Sequence, residues 1–163
     1  MRPKPFISEI FTNDERYIRE KTENQIWHRC RHRVLYVDTD RSQSVYHANY
    51  LHYFEIGRTT MMRVSAYSYR EIEENGYLYP IIEVGVHYYN PLFYDDTIWI
   101  HTRPSTLERV KIKFEYVITD EQSKKIICKG FTKHCAVCTS GIPVEVDPKT
   151  AHIWNAFPKI KPT

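Results

Sequence analysis

An α+β fold, one long central helix wrapped by a five- to six-stranded antiparallel sheet, is predicted by three observations in this 163-residue sequence. A β-rich run opens at residues 33–39, a single long stripe of apolar residues follows at helical spacing, and from residue 81 onward β-rich runs alternate with turn residues. The length suits one domain with a sizeable core, expected over residues 31–148, with residues 1–30 as an N-terminal extension and 149–163 as a C-terminal tail.

The extension carries Pro3 and Pro5 and then a polar stretch with few apolar positions, so one short, mostly polar helix capped by Asn13 is expected there. Residues 33–39 (RVLYVDT) read as a strand, and the period changes near Asn49. Leu51, Phe54, Met61, Met62 and Ser65 then fall on one helical stripe, which predicts a helix over about 48–66. Gly57 interrupts it. A glycine inside a helix costs about 1 kcal/mol against alanine, and the usual compensation is close approach of a neighbouring backbone, here a sheet lying tight against the helix. Ser68 and Glu71 form a capping box for a second helix of about two turns that Gly76 is placed to end. Strands are expected at 81–90, 97–104, 109–119, 125–138 and 143–146.

Basic and acidic residues number 23 and 20 and are spread along the chain, giving a formal charge of +3, which leaves no basic block suited to nucleic acid. The first 30 residues hold no apolar signal-like core and no apolar run is long enough to span a bilayer, so a cytoplasmic protein without a membrane partner is expected. Cys30, Cys128, Cys135 and Cys138 make no disulfide framework in a chain of this size. The Cys-x-x-Cys at 135–138 invites a zinc reading, but a second ligand pair is missing and residues three apart on a strand point to opposite faces. No metal or redox cofactor is expected.

Alternation adds detail. Val110, Ile112, Phe114 and Tyr116 share one strand face opposite Arg109, Lys111 and Lys113, while Ile98 and Ile100 oppose Trp99, His101 and Arg103. If the two strands are neighbours, their outer faces combine into either an ordinary solvated surface or a basic patch with one indole.

The polar groups concentrate where strand meets helix. Asp38-Thr39-Asp40, then Val45-Tyr46-His47-Ala48-Asn49-Tyr50 and Tyr53-Phe54-Glu55-Ile56-Gly57-Arg58, followed later by "YYNPLFYDDTIWIHT", "FEY" and "GFTKH", resemble the signature of the hotdog-fold acyl-CoA thioesterases of the YbgC and 4-hydroxybenzoyl-CoA thioesterase branch. The resemblance covers roughly residues 31–146. It implies a long helix wrapped by an antiparallel sheet, in agreement with the periodicity, and a homodimer joined edge to edge or a homotetramer built from it. It also implies hydrolysis of an acyl-CoA to free acid and coenzyme A, with the coenzyme as part of the substrate.

The resemblance assigns the roles. Asp40, the second aspartate of the Asp-x-Asp, is the expected catalytic carboxylate, and the backbone N–H at or near His47 is the expected oxyanion donor. The His47 ring is a candidate for orienting substrate or water. Another branch of hotdog thioesterases carries its carboxylate on the central helix, and Glu55, eight residues after His47, is the rival there; its alternative is a pair with Arg58 one turn on. Tyr46, Asn49 and Gln43 are the candidates for substrate binding, Asn49 also for the helix N-cap. Gln43 stands where the family usually has glycine, so either the loop takes another path or the glutamine narrows the acyl pocket. Related thioesterases hold coenzyme phosphates on a basic cluster at the matching strand start, which points to Arg109, with Arg103, Lys111 and Lys113 beside it. Two other readings stay open, a carrier-protein thioesterase on the same fold and a non-catalytic acyl-thioester-binding module.

Overall fold

The computed structural model describes residues 2–159. In chain order its elements are β1 (Ser8–Ile10), β2 (Tyr17–Glu20), β3 (Gln25–Arg33), α1 (Tyr50–Val64), α2 (Tyr69–Glu74), β4 (Tyr77–Leu78), β5 (Ile81–Tyr88), β6 (Thr97–Leu107), β7 (Lys111–Asp120), β8 (Ile126–Cys135), β9 (Val137–Cys138) and α3 (Pro148–Ala156). Seven strands build one sheet in the spatial order β1-β2-β3-β6-β7-β8-β5, and β4 and β9 form a separate short pair. Every pairing is antiparallel.

The helix α1 lies across the inner face of this sheet; of the predicted stripe Phe54, Met61 and Met62 are buried, whereas Leu51 is exposed and Tyr50 and Tyr53 are buried in its stead. Tyr53, Phe54, Met61 and Met62 bury against Ile98, Ile100, Ile112, Phe114, Tyr116 and Ile118, and Phe54 stacks on Tyr116 with ring centres 4.3 Å apart. Gly57 supplies the close approach: a Cβ built there would stand 2.4 Å from Thr102 Oγ1 and 2.7 Å from Ile100 Cγ2 on β6. The second helix follows its capping box, with Ser68 N–H donating to Glu71 Oε2 at 2.8 Å and the Glu71 N–H to Ser68 Oγ at 3.3 Å. Gly76 ends that turn at φ +86°.

Four expectations are corrected. Residues 33–39, read as a strand, are not one: β3 ends at Arg33 and the chain then turns through a 3-10 helix at Tyr36–Asp38. The polar segment after Asn13 is not a helix but the hairpin β1–β2 leading into β3, so the sheet has seven strands rather than five or six, and residue 30 falls inside β3. The turn between β2 and β3 is closed by Glu20, whose carboxylate accepts the amides of Thr22 and Glu23 at 2.7 and 2.8 Å, and by Asn24 in the left-handed region at φ +57°. Residues 143–146 form no strand; Pro143 makes an isolated bridge to Val137. The expected tail contains α3, capped by Asp147, whose Oδ2 accepts the Thr150 amide at 3.1 Å, and Trp154 on α3 packs edge-on against Phe114 at 4.9 Å.

The outer face of the sheet is covered in part by the chain's own N-terminus. Phe6, Ile18, Trp27, Val117 and Ile126 form a second apolar cluster, in which Phe6 sits 6.1 Å from Trp27 and 4.5 Å from the His101 ring. His101, expected on an outer face, is therefore fully buried, and burial lowers its pKa to about 3. The indole of the expected basic patch is Trp99, and its partners are Arg29 and Arg31 of β3, at 4.0 and 5.3 Å from the ring centre.

Candidate active site

The Asp-x-Asp segment and the start of α1 form one stitched unit. Asp38 is structural: its Oδ2 accepts the Leu35 amide and the Tyr53 hydroxyl, both at 2.9 Å, and its carbonyl accepts the Tyr46 amide at 2.9 Å and Asn49 Nδ2 at 2.8 Å. The Asn49 side chain thus ties the helix start to the aspartate loop and leaves the N-cap without a side-chain bond. Burial first, then the Asp38 carboxylate, push the Tyr53 phenol well above its usual pKa.

Asp40 sits in the exposed turn that follows. Its Oδ1 accepts the Ser42 amide at 2.7 Å and the Ser42 hydroxyl at 2.5 Å, and Ser42 Oγ lies 2.7 Å from Ser44 Oγ. These Ser42 bonds, hydroxyl before amide, hold the Asp40 carboxyl below the usual carboxylate range, and His47 adds a smaller push in the same direction. Asp40 N–H donates to the Ser44 carbonyl at 3.0 Å and Gln43 N–H to the Asp40 carbonyl at 2.9 Å, which closes the turn. Gln43 adopts φ +68°. The loop therefore keeps the left-handed residue without glycine, and the Gln43 side chain is exposed. Bridges from Thr39 to Val45 and from Ser44 to Phe93 fix the loop against the sheet end.

His47 begins a 3-10 turn, His47–Asn49, that runs directly into α1. Amides at such a start lack a preceding carbonyl inside the helix and sit at its positive end. Tyr88, the last residue of β5, donates its hydroxyl to the His47 carbonyl at 2.6 Å, and the Tyr46 ring covers the His47 ring at 4.4 Å. Tyr50, Tyr53 and Tyr88 form an aromatic wall beside this turn, with centroid distances of 5.8 Å and 5.1 Å from Tyr50 to the other two. Ser42 and Tyr88 were not among the expected site residues. The Asp-x-Ser spacing of 40–42, a turn in which a side-chain oxygen accepts the amide two residues on, is the signal that would have found Ser42.

Glu55 stands apart. It is exposed on α1, about 12 Å along the helix axis from His47 at 1.5 Å per residue. It makes no ion pair among the described residues, because Arg58 turns inward beside the Tyr69 and Tyr116 phenols. Three members of the expected basic cluster have partners of their own. Arg103 is bound by Glu115 at 2.6 Å, Arg109 by Glu145 at 2.9 Å, and Lys113 lies 4.7 Å from the centre of the Phe131 ring. Among the described residues no group of His, Cys, Asp and Glu is arranged to hold a metal, and no helix is long and apolar enough to cross a membrane.

Comparison with known proteins places the chain in a family. Residues 34–153 match the model of the thioesterase-like superfamily. The chain is 33% identical to YneP of Bacillus subtilis (strain 168), an acyl-CoA thioesterase by provisional assignment, over 78% of this chain and 93% of YneP. It is 30% identical to the acyl-CoA thioester hydrolase YbgC of Escherichia coli O6:H1, over 56% of this chain and 68% of YbgC. The crystal structure of a 1,4-dihydroxy-2-naphthoyl-CoA thioesterase from Synechocystis superposes with a TM-score of 0.74, covering 79% of this chain and 96% of that one, at 13% identity, a likeness of fold. The chain is a hotdog-fold protein and belongs to the thioesterase-like superfamily.

Proposed function

We propose that this protein is an acyl-CoA thioesterase in which Asp40 is the general base or nucleophile and an amide at the start of the helical segment, at or beside His47, is the oxyanion donor. The observation that carries this reading is the Asp38 carbonyl, which holds the Tyr46 amide and the Asn49 side chain at once and so keeps the Asp40 turn beside the helix start. Acting as base, ionised Asp40 takes a proton from water as the water oxygen attacks the thioester carbon. The carbonyl oxygen gains negative charge at the helix-start amide, worth about 3–4 kcal/mol of transition-state stabilisation per such donor. Collapse breaks the carbon–sulfur bond, and the coenzyme thiolate takes up the proton. Acting as nucleophile, Asp40 would pass through a mixed anhydride that water then opens.

A homodimer joined through β5 is part of the same reading. That strand is the outer edge of the sheet beyond β8, and Ile82 and Val84 on it are 50% and 44% exposed. Free edge groups flanked by apolar side chains suit pairing with a second copy.

Thiol release from short, long and aromatic acyl-CoA thioesters, measured for wild type, Asp40→Asn and Glu55→Gln, tests the assignment. Asp40→Asn is expected to lower kcat by about 100-fold or more, with Glu55→Gln within a few-fold of wild type. Loss in Glu55→Gln alone would move the carboxylate to the helix. Binding of the esters without thiol release would make this a non-catalytic module.

A further inference from the structure

The geometry points to a second binding site, for the phosphate-bearing nucleotide end of the coenzyme, in the cleft between the N-terminal segment and the β7–β8 turn. The inference rests on the acyl-CoA reading above. The cleft has a volume of about 660 Å³ and is lined by Arg2, Lys4, Lys124, Lys125, Tyr89 and Asp120, among others.

Four cations face one carboxylate there. The four basic side chains are exposed, and among the described residues none forms an ion pair. Asp120 is turned into its own hairpin, its Oδ1 accepting the amides of Lys124 and Lys125 at 2.8 and 3.0 Å. The Tyr89 ring, stacked on His87 at 4.6 Å, offers a flat aromatic surface of the kind on which a purine stacks. Cations without partners beside such a ring suit an adenosine carrying several phosphates.

The segment that brings Arg2 and Lys4 here is held in place. Phe6 is 6% exposed in the outer cluster, Thr22 Oγ1 donates to the Pro5 carbonyl at 2.8 Å, and Lys21 N–H donates to the Ile7 carbonyl at 2.8 Å. Pro3 and Pro5 restrict the backbone between them.

Within one protomer this cleft lies at the same end of the sheet as the candidate site. Tyr88, bound to His47, pairs across the sheet with Cys128, and Cys128 with Ile118. Along β7 the catalytic end is thus two residues from Asp120, roughly 7 Å, and seven from Lys111, roughly 23 Å. A second cleft of about 310 Å³ shares Asp120 and Lys125 with the first and reaches Leu92 and Phe93. Phe93 is bridged to Ser44 in the Asp40 loop and the Leu92 carbonyl accepts the Val45 amide at 2.8 Å, so the second cleft borders residues that hold the Asp40 loop.

Calorimetric titration with adenosine 3′,5′-bisphosphate tests the site without any turnover. Wild type is expected to bind it, with affinity falling at least tenfold in Lys124→Glu/Lys125→Glu and in Arg2→Glu/Lys4→Glu and unchanged in the surface control Arg70→Glu. In the two cleft variants KM for a cleaved acyl-CoA should rise by a similar factor with kcat retained; thermal melts confirm that each variant is folded. The inference is overturned if the bisphosphate does not bind, if inorganic phosphate binds as tightly, or if affinity is lost only in Lys111→Glu/Lys113→Glu, which would place the nucleotide on the strand cluster. If the bisphosphate binds as expected but no thioester is cleaved, the site stands and the thioesterase reading falls.

Discussion

Ser42 is a small residue with a large share in the candidate chemistry. Its hydroxyl and amide both donate to Asp40, which keeps a carboxylate in its ionised, proton-accepting form. Because the folded pKa is depressed, the ionised form persists as pH falls and is lost only below the ordinary value of 3.8. Ser42→Ala removes the stronger of the two donors and should raise the Asp40 pKa toward 3.8. Followed by carboxyl-carbon NMR from pH 6 downward, the variant should begin to titrate at a higher pH than wild type. An unchanged curve would mean that the hydroxyl bond does not form in solution. At this scale the site was partly legible: Asp40, His47 and Glu55 could be named from the motif, and Gln43 as its departure. What the glutamine does was not legible, since one of the two bridges that hold its loop, Ser44 to Phe93, joins segments far apart in sequence.

Among the elements, α1 was the most legible and the N-terminal hairpin the least. A 3.6-residue stripe and one glycine announce a helix lying close on a sheet, and the 2.4 Å that a Cβ would leave to Thr102 Oγ1 gives the glycine its reason. Gly57→Ala should lower stability by about 1–2 kcal/mol, because overpacking against two β-branched side chains outweighs the gain of about 1 kcal/mol in helix propensity. Urea unfolding would show it as a lower midpoint with an unchanged slope, and an alanine variant as stable as wild type would mean that the helix can lift off β6 without cost. The hairpin was misread because its charged residues obscure a period of two. Ile18 and Glu20 share the face of β2 that is buried, Ile18 in the outer cluster with Phe6, and the buried Glu20 caps the turn at Thr22 and Glu23. In β3 the arginines at 29, 31 and 33 alternate with Cys30 and His32, a strand pattern that polarity disguised as linker. Its meaning depends on Trp99 of β6, 70 residues after Arg29.

For the whole molecule, three buried histidines set a pH window. Burial lowers His28 and His134 to about 4 and His101 to about 3. The unfolded chain protonates near 6.5 while the folded chain does not, so stability is level above about pH 6.5 and declines as pH falls toward 4, by on the order of several kcal/mol. Chemical unfolding at pH 7, 6, 5 and 4 should trace that decline, and a flat profile would show that the three rings take up protons without loss of packing. Assembly gives a second test. Val84→Lys places a charge on the exposed edge β5 and should convert a species of twice the chain mass in native mass spectrometry into single chains; a wild type already monomeric would remove the edge-joined pair. The N-terminal segment limits what can be built from such pairs. Phe6 fills the outer surface over Trp27 of β3, His101 of β6 and Val117 of β7 with the chain's own residues. A sheet from another molecule cannot stack there without first displacing Phe6. The chain thus carries its own occupant for part of a surface that would otherwise be open to neighbours.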